Sequence, residues 1–483
     1  MLRLRRTLAP IALAILLGIA LFTAFWGPAA TAPNSAKLRG LDLVSFWAPA
    51  TVLDRGDGAD IYTKKPIRAE FKKLHPSKPP GYPIGYPPPI YQLFSLPQPA
   101  LGYLDTVRAI LLAMPLVHAL AALWMVAAVR VPLSDPRRGS WRELALGFAI
   151  AAPGAISTIV SGQLGGVWTL SAAIALWAWS RGRRPLAGVA LAVLWMKPTL
   201  ALPMVLTLVL LGEGTILSSM VAGGAAMLAL SLAAHGTEPW LAYFHRMSAF
   251  DKALDDFWIY RHRQVNVRGL VGILVPSASW RESLGWIAAG GATLYVGWVS
   301  VATKAAATSD ALSADLRRGL VLAAALVAGP HMFEYDLGLD VFAMAVSLAW
   351  LWTGRASWRR AGWLSLGAAW AAPLITSVPY VSKLALPTWS LLFWIAWMTA
   401  ELVLPYRYPL LPHPKPTPYD PASSGSVPAV TSAPSLRPSP SESAVPGAVP
   451  ALNSAALSRP SPSVSAVESS VAMSSPAASS HPS

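Results

Sequence analysis

Long apolar runs alternate with short polar breaks along most of the chain. They lie near 8–26, 104–129, 144–160, 165–180, 185–197, 199–211, 215–234, 284–303, 316–330, 337–352, 362–378 and 386–404. Several reach the roughly 17–25 residues that a helix needs to cross a bilayer. Helices and closed barrels alone satisfy their backbone there, so the pattern predicts an all-α polytopic membrane protein. Two polar stretches interrupt it, at about 28–102 and 235–282. From about 405 to 483 the chain is Ser/Pro/Ala-rich and aperiodic, which reads as a disordered cytoplasmic tail beyond a membrane domain at 1–404.

Two runs need arbitration. Leu8–Trp26 follows "LRLRR" and precedes "ATA", as a signal peptide would, but it is longer than a signal core. An uncleaved first transmembrane helix is the better reading. The 185–211 region is either one helix or two short ones broken at Lys197–Pro198, where proline removes a backbone donor. Loop charge separates the two. Arg3, Arg5 and Arg6 put the N-terminus inside. If 185–211 crosses twice, the basic loops at Arg130–Arg142, Arg181–Arg184, Lys304–Arg318 and Arg355–Arg360 share that side. About twelve crossings follow, with both termini inside. Both long polar loops and the turns carrying "SGQ", "MKP" and "PHMFEYD" then face outward.

Composition narrows the chemistry. The chain is 54% hydrophobic and 13% charged, against about 25% charged in soluble proteins. The net charge of +15 would suggest nucleic acid in a soluble protein. Here the arginines sit largely in short loops and set orientation, so no nucleic-acid partner is expected. The absence of Cys excludes disulfides, thiol catalysis and zinc-thiolate sites.

Candidate chemistry gathers on the outward side. Asp42, in "LRGLDLVSFWAPA", is a carboxylate among apolar residues just past the first run. It reads either as an interfacial cap or as a general base at a cavity mouth. In "GYPIGYPPPIYQLFSLP", 81–97, Tyr82, Tyr86 and Tyr91 interleave with prolines. That predicts a stiff, non-helical wall, either an interfacial loop or a stacking surface. Gln163 lies in a tight turn. Lys197 stands alone between apolar runs, where it either snorkels or meets a phosphate. Arg261, His262, Arg263 and Arg268 lie outward against the orientation bias, suiting an anionic lipid headgroup or balancing Asp251, Asp255 and Asp256. His331, Glu334 and Asp336 read as metal ligands or, for His331, as a phosphate donor. No assignable DxD-like pair faces outward, so neither metal nor another cofactor is expected.

In this order and on one face, these features resemble the membrane glycosyltransferases of family 87. The resemblance rests on "LDLVSFWAPA", "GDGADIY" ending at Tyr62, "YPP" at Tyr86–Pro88, "GQ" at Gly162–Gln163, "KP" at Lys197–Pro198, Asn266, and "PH…YDL" at Pro330–Leu337. It covers roughly 1–404. It implies a GT-C-type helix bundle and transfer from a polyprenyl-phosphate sugar, most readily mannose, to a lipid or glycan acceptor. Asp42 would deprotonate the acceptor hydroxyl, and His331 and Lys197 would stand near the donor phosphate. Tyr62, Tyr86, Gln163, Asn266, Tyr335 and Asp336 would line the substrate cavity. Where the family usually shows Asn-x-Ser, this chain has "NVR", Asn266–Arg268, which moves attention to Arg268 as a phosphate contact.

The implied place is the plasma (inner) membrane, with the active site on its periplasmic or extracellular face. A transporter or lipid flippase shares the many helices and the broken one, but transporters often carry duplicated halves. No internal repeat is visible, and the polar residues favour one face over the midplane. A non-catalytic assembly subunit is the other rival.

Overall fold

The computed structural model describes residues 42–74, 85–96, 100–131, 138–256, 263–306, 310–329, 331–376 and 385–407. Leu8–Trp26, Pro330, Arg261, His262 and the tail from 408 lie outside the described residues. Among those described, the structure is helical, with no strand beyond one isolated bridge.

The first polar stretch holds α1 (Val44–Asp54), α2 (Lys64–Leu74) and α3 (Pro88–Ser95). The helical α3 corrects the expectation for 81–97. Pro88 and Pro89 occupy its first positions, and Pro87 before them is extended. First-turn N–H groups have no intrahelical acceptor, so proline loses nothing there and brings a pre-set φ.

The bundle follows: α4 (Tyr103–Ala128), α5 (Arg138–Ile150), α6 (Pro153–Ser161), α7 (Gly165–Ser180), α8 (Arg184–Ala192), α9 (Pro198–Leu211) and α10 (Gly214–His235). The second polar stretch contains α11 (Glu238–Asp256) and α12 (Val267–Leu274). Then come α13 (Ala278–Ala302), α14 (Ala311–Ala328), α15 (Val341–Trp352), α16 (Arg359–Thr376) and α17 (Leu386–Arg407). Among the described residues, five helices are long and apolar enough to cross a membrane: Tyr103–Ala128, Gly214–His235, Ser279–Ala302, Glu334–Trp352 and Leu386–Leu404. The break at Lys197–Pro198 is real. A short 3-10 turn, Val193–Met196, precedes Lys197, and α9 starts at Pro198.

Residues 341–351 of α15 are buried throughout, and α14 packs beside it, so this pair forms the centre. On α4, Leu112, Leu116, Leu120 and Leu123 are exposed while Leu111, Ala121, Ala122 and Met125 are buried. A helix apolar on both faces suits one flanked by protein and lipid. α8 and α10 approach through small residues. A Cβ on Gly188 would lie 2.3 Å from the Ile216 carbonyl oxygen, which is how membrane helices gain contact without a hydrophobic drive between them.

Charges sort by bundle end. At one end Arg130 and Arg318 both bind Asp315, Arg355 binds Asp310, and Arg184 binds Glu213. There too Glu401 accepts from the backbone N–H groups of Ser357 and Trp358. These are the loops that sequence assigned to one side. The starts of α7 and α9, the end of α14 and the 331–336 segment lie at the opposite end.

Asp315 is fully buried and accepts from the Arg130 guanidinium at 2.7 Å, the Arg130 N–H at 2.8 Å and Arg318 at 2.8 Å. Asp315→Ala should destabilise the fold by about 3–5 kcal/mol, as it strands buried donors. Thermal unfolding in detergent reads this; an unchanged midpoint would show that the cluster contributes nothing.

Candidate functional site

The site is assembled from helix ends. Asp42 sits just before α1. Its N–H donates to the Ser161 carbonyl at 3.1 Å, and its own carbonyl accepts the Ser45 N–H at 2.9 Å and the Ser45 hydroxyl. These bonds fix the backbone of the half-buried Asp42 against the end of α6. There Gly162 is left-handed, with φ 64°, a conformation open to glycine that turns the chain back. Gln163 follows, and its Nε2 donates to Asp42 Oδ2 at 2.5 Å. Burial pushes the Asp42 carboxyl above its usual range, while the Arg263 charge and the Gln163 bond pull it down.

Tyr86 and Tyr62 stand behind Gln163. The Tyr86 hydroxyl reaches Gln163 Oε1 at 3.5 Å, and the Tyr62 hydroxyl donates to the Tyr86 carbonyl at 2.6 Å. Tyr91 accepts the Tyr86 N–H at 3.3 Å, and the Phe46 ring lies 4.8 Å from that of Tyr86. Tyr86 and Tyr91, in the described part of the Tyr–Pro stretch, thus make an aromatic cluster with Phe46 beside Gln163, while Tyr82 lies outside the described residues. Tyr62, packed against Tyr91 and Tyr243, buttresses that cluster.

One buried and one half-buried ion pair anchor the segment around Tyr335. Lys197 Nζ donates to Asp336 Oδ1 at 2.5 Å. Arg263 Nε donates to Glu334 Oε1 at 2.6 Å, and its NH2 group reaches the Ser161 hydroxyl at 3.1 Å. Burial alone would lower the Arg263 pKa, but Glu334, Tyr335 and Asp42 raise it overall, so Arg263 stays charged. The Lys197 ammonium and the Arg263 guanidinium lie 4.8 and 5.5 Å from the Tyr335 ring centre, at cation–π distance. An isolated bridge, Gln264 with Phe333, and the Val265 N–H to the Met332 carbonyl at 2.8 Å join the second polar stretch to 331–336.

Beyond this bridge a small open hollow is lined by Gln264, Arg268, Gly269, Gly272, Arg281, Glu282 and His331. Arg268 and His331 are buried and 3.3 Å apart, and the Arg268 guanidinium lies 4.5 Å over the Trp286 ring. Asn266 is the N-cap of α12, its Oδ1 accepting the Gly269 N–H at 2.7 Å. It thereby sets Arg268 in the first turn, facing the hollow.

The structure thus brings Asp42, Gln163, Tyr86 and Tyr62 together in one group, Lys197, Asp336 and Tyr335 in a second, and Arg268 with His331 in a third. Lys197 is not in the hollow, because a buried ammonium takes the nearest carboxylate. His331, Glu334 and Asp336 do not converge on one point. They bind Arg268, Arg263 and Lys197 respectively. Sequence reading missed the Arg263–Glu334 pair and the place of Arg281.

A family model described as glycosyltransferase family 87 matches residues 85–328. The match includes Tyr86, Gln163, Lys197, Asn266 and Arg268. Asp42, Tyr62, His331, Tyr335 and Asp336 lie outside it but touch residues within it. No curated protein matches the chain. The matched stretch takes in half of the sequence and most of the bundle, and the chain belongs to glycosyltransferase family 87, whose members are membrane glycosyltransferases.

Proposed function

We propose that this protein transfers a sugar, mannose first among candidates, from a polyprenyl-phosphate donor to a hydroxyl of a lipid or glycan acceptor. Transfer occurs with inversion on the outer face of the plasma membrane. The observation that carries this reading is the Asp42 carboxylate, held by Gln163 and faced by Arg263, at the bundle end that also holds the Arg268–His331 hollow. Among the described residues, eleven helical passages between the two ends, counting α5 with α6 as one, are in keeping with a GT-C-type bundle.

The acceptor hydroxyl loses its proton to Asp42 as its oxygen attacks the anomeric carbon. The bond from that carbon to the phosphate oxygen breaks, and polyprenyl phosphate departs as an anion. A phosphate needs no proton to leave; it needs positive charge and donors. Arg268 and His331 supply these. One carboxylate is then sufficient, where a glycosidase needs two because its leaving group is an alkoxide. Attack opposite a β-linked phosphate gives an α-linked product. Arg263 faces Asp42 and its chain neighbour Gln264 lines the hollow, so one stretch of backbone joins the base to the phosphate contacts. Lys197 positions Asp336 and holds the connecting segment in place.

Asp42→Asn keeps an acceptor for the Gln163 amide and should fold normally, while transfer of labelled mannose from polyprenyl-phosphate mannose falls roughly 100-fold or more. Appreciable transfer by the purified variant would remove Asp42 as the base. The active form of Asp42 is deprotonated, so activity falls as pH drops through its raised pKa. Arg263→Gln removes a charge that favours the carboxylate, so the acid limb of the rate profile should move to higher pH. A limb that stays or moves down would contradict the coupling. Arg268→Ala should raise the donor KM about tenfold, in keeping with ~1.5–3 kcal/mol for a hydrogen bond to a charged group. A defect confined to kcat at saturating donor would contradict the phosphate contact.

A further inference from the structure

Helix α2, "KKPIRAEFKKL", carries a charge pattern that the transfer reaction does not use. Ile67 and Phe71 are buried, and the helix packs on α1, the helix that begins beside Asp42. Its one carboxylate, Glu70, is turned inward and buried, held by Arg55 at 2.7 Å and Lys73 at 2.8 Å. Lys64, Lys65, Arg68 and Lys72 are exposed. Among the described residues none of the four is in an ion pair. Asp54, Asp57 and Asp60 precede the helix and are exposed, with Asp57 4.0 Å from Arg55.

Lys64, Arg68 and Lys72 repeat at four-residue spacing, so like charges are neighbours on one helix face, an arrangement that destabilises an isolated helix. Orientation in the membrane does not account for it. The clusters that set orientation lie at the opposite bundle end, around Asp315 and Asp310. The apolar side of α2 faces the protein, which turns the four cations away from the bundle. α1 spans 11 residues, roughly 16 Å at 1.5 Å per residue, and α2 packs against it, so the cationic helix lies directly on the helix that starts beside Asp42.

We infer that the outward face of α2 docks an anionic glycan, a chain bearing carboxylate or phosphate groups, and that this chain is the body of the acceptor whose terminal hydroxyl reaches Asp42. This rests on the proposed transfer for the identity of the ligand as acceptor, but the docking itself needs no turnover. Charge complementarity of this kind steers and retains a polyanion, and it is screened by salt.

The test uses the full chain in neutral detergent and fluorescent oligogalacturonate, with an uncharged dextran oligosaccharide of equal length as control. Oligogalacturonate should bind with an affinity that falls as salt rises, and dextran should not bind. The quadruple variant Lys64→Gln, Lys65→Gln, Arg68→Gln, Lys72→Gln should weaken binding about tenfold without moving the melting temperature. If that variant misfolds, the pairs Lys64→Gln/Arg68→Gln and Lys65→Gln/Lys72→Gln carry the same test, each with a smaller loss. Equal affinity of variant and wild type, or no oligogalacturonate binding, would overturn the inference. So would charge-dependent binding only to phosphatidylglycerol vesicles, which would make α2 a membrane contact. None of these results bears on whether sugar is transferred, so the two claims fail separately.

Discussion

A charge withdrawn from water must be matched where it lies, and the site follows from two such matches. Lys197 meets Asp336 and Arg263 meets Glu334. Both carboxylates come from one short buried turn, 334–340, so the two pairs fasten the start of α9 and the second polar stretch to the foot of α15. The bridge between Gln264 and Phe333 completes the fastening. Tyr335 sits between the two cations as a shared aromatic face. These pairs and the bridge together hold Arg263 opposite Asp42 and Arg268 beside His331.

The same constraint explains why the bundle has two unlike ends. At one end carboxylates and arginines cancel in compact clusters such as Asp315 with Arg130 and Arg318. At the other end Asp42 has a neutral amide as its direct partner, and Arg263, its nearby cation, is bound to Glu334. A carboxylate held by an amide and only influenced by a cation remains able to accept a proton. That is a chemically different state from the saturated Asp315.

Much of this was legible in the sequence, for identifiable reasons. Asp42, Gln163, Lys197 and the 331–336 segment stood out because polar residues are costly between apolar runs, and the structure gathers them at one end. Loop arginines marked the opposite end for the same reason. The local form of 81–97 was not legible: Pro87–Pro89 reads as a helix breaker, yet Pro88 and Pro89 open α3. Pairing was not legible either. Lys197 was read as snorkelling or as meeting a phosphate, and its actual partner, Asp336, depends on a contact 139 positions away. Arg268 over Trp286 likewise arises only when α12 and α13 meet.

The most direct measurement is a donor screen. The purified protein, reconstituted in vesicles with a membrane extract as acceptor, is given polyprenyl-phosphate mannose, glucose or arabinose, and products are identified by mass. The expected result is a hexose added from the mannose donor, with free polyprenyl phosphate released in equal amount. Absence of transfer from all three lipid donors, or transfer from a nucleotide sugar instead, would contradict a site built around a departing lipid phosphate.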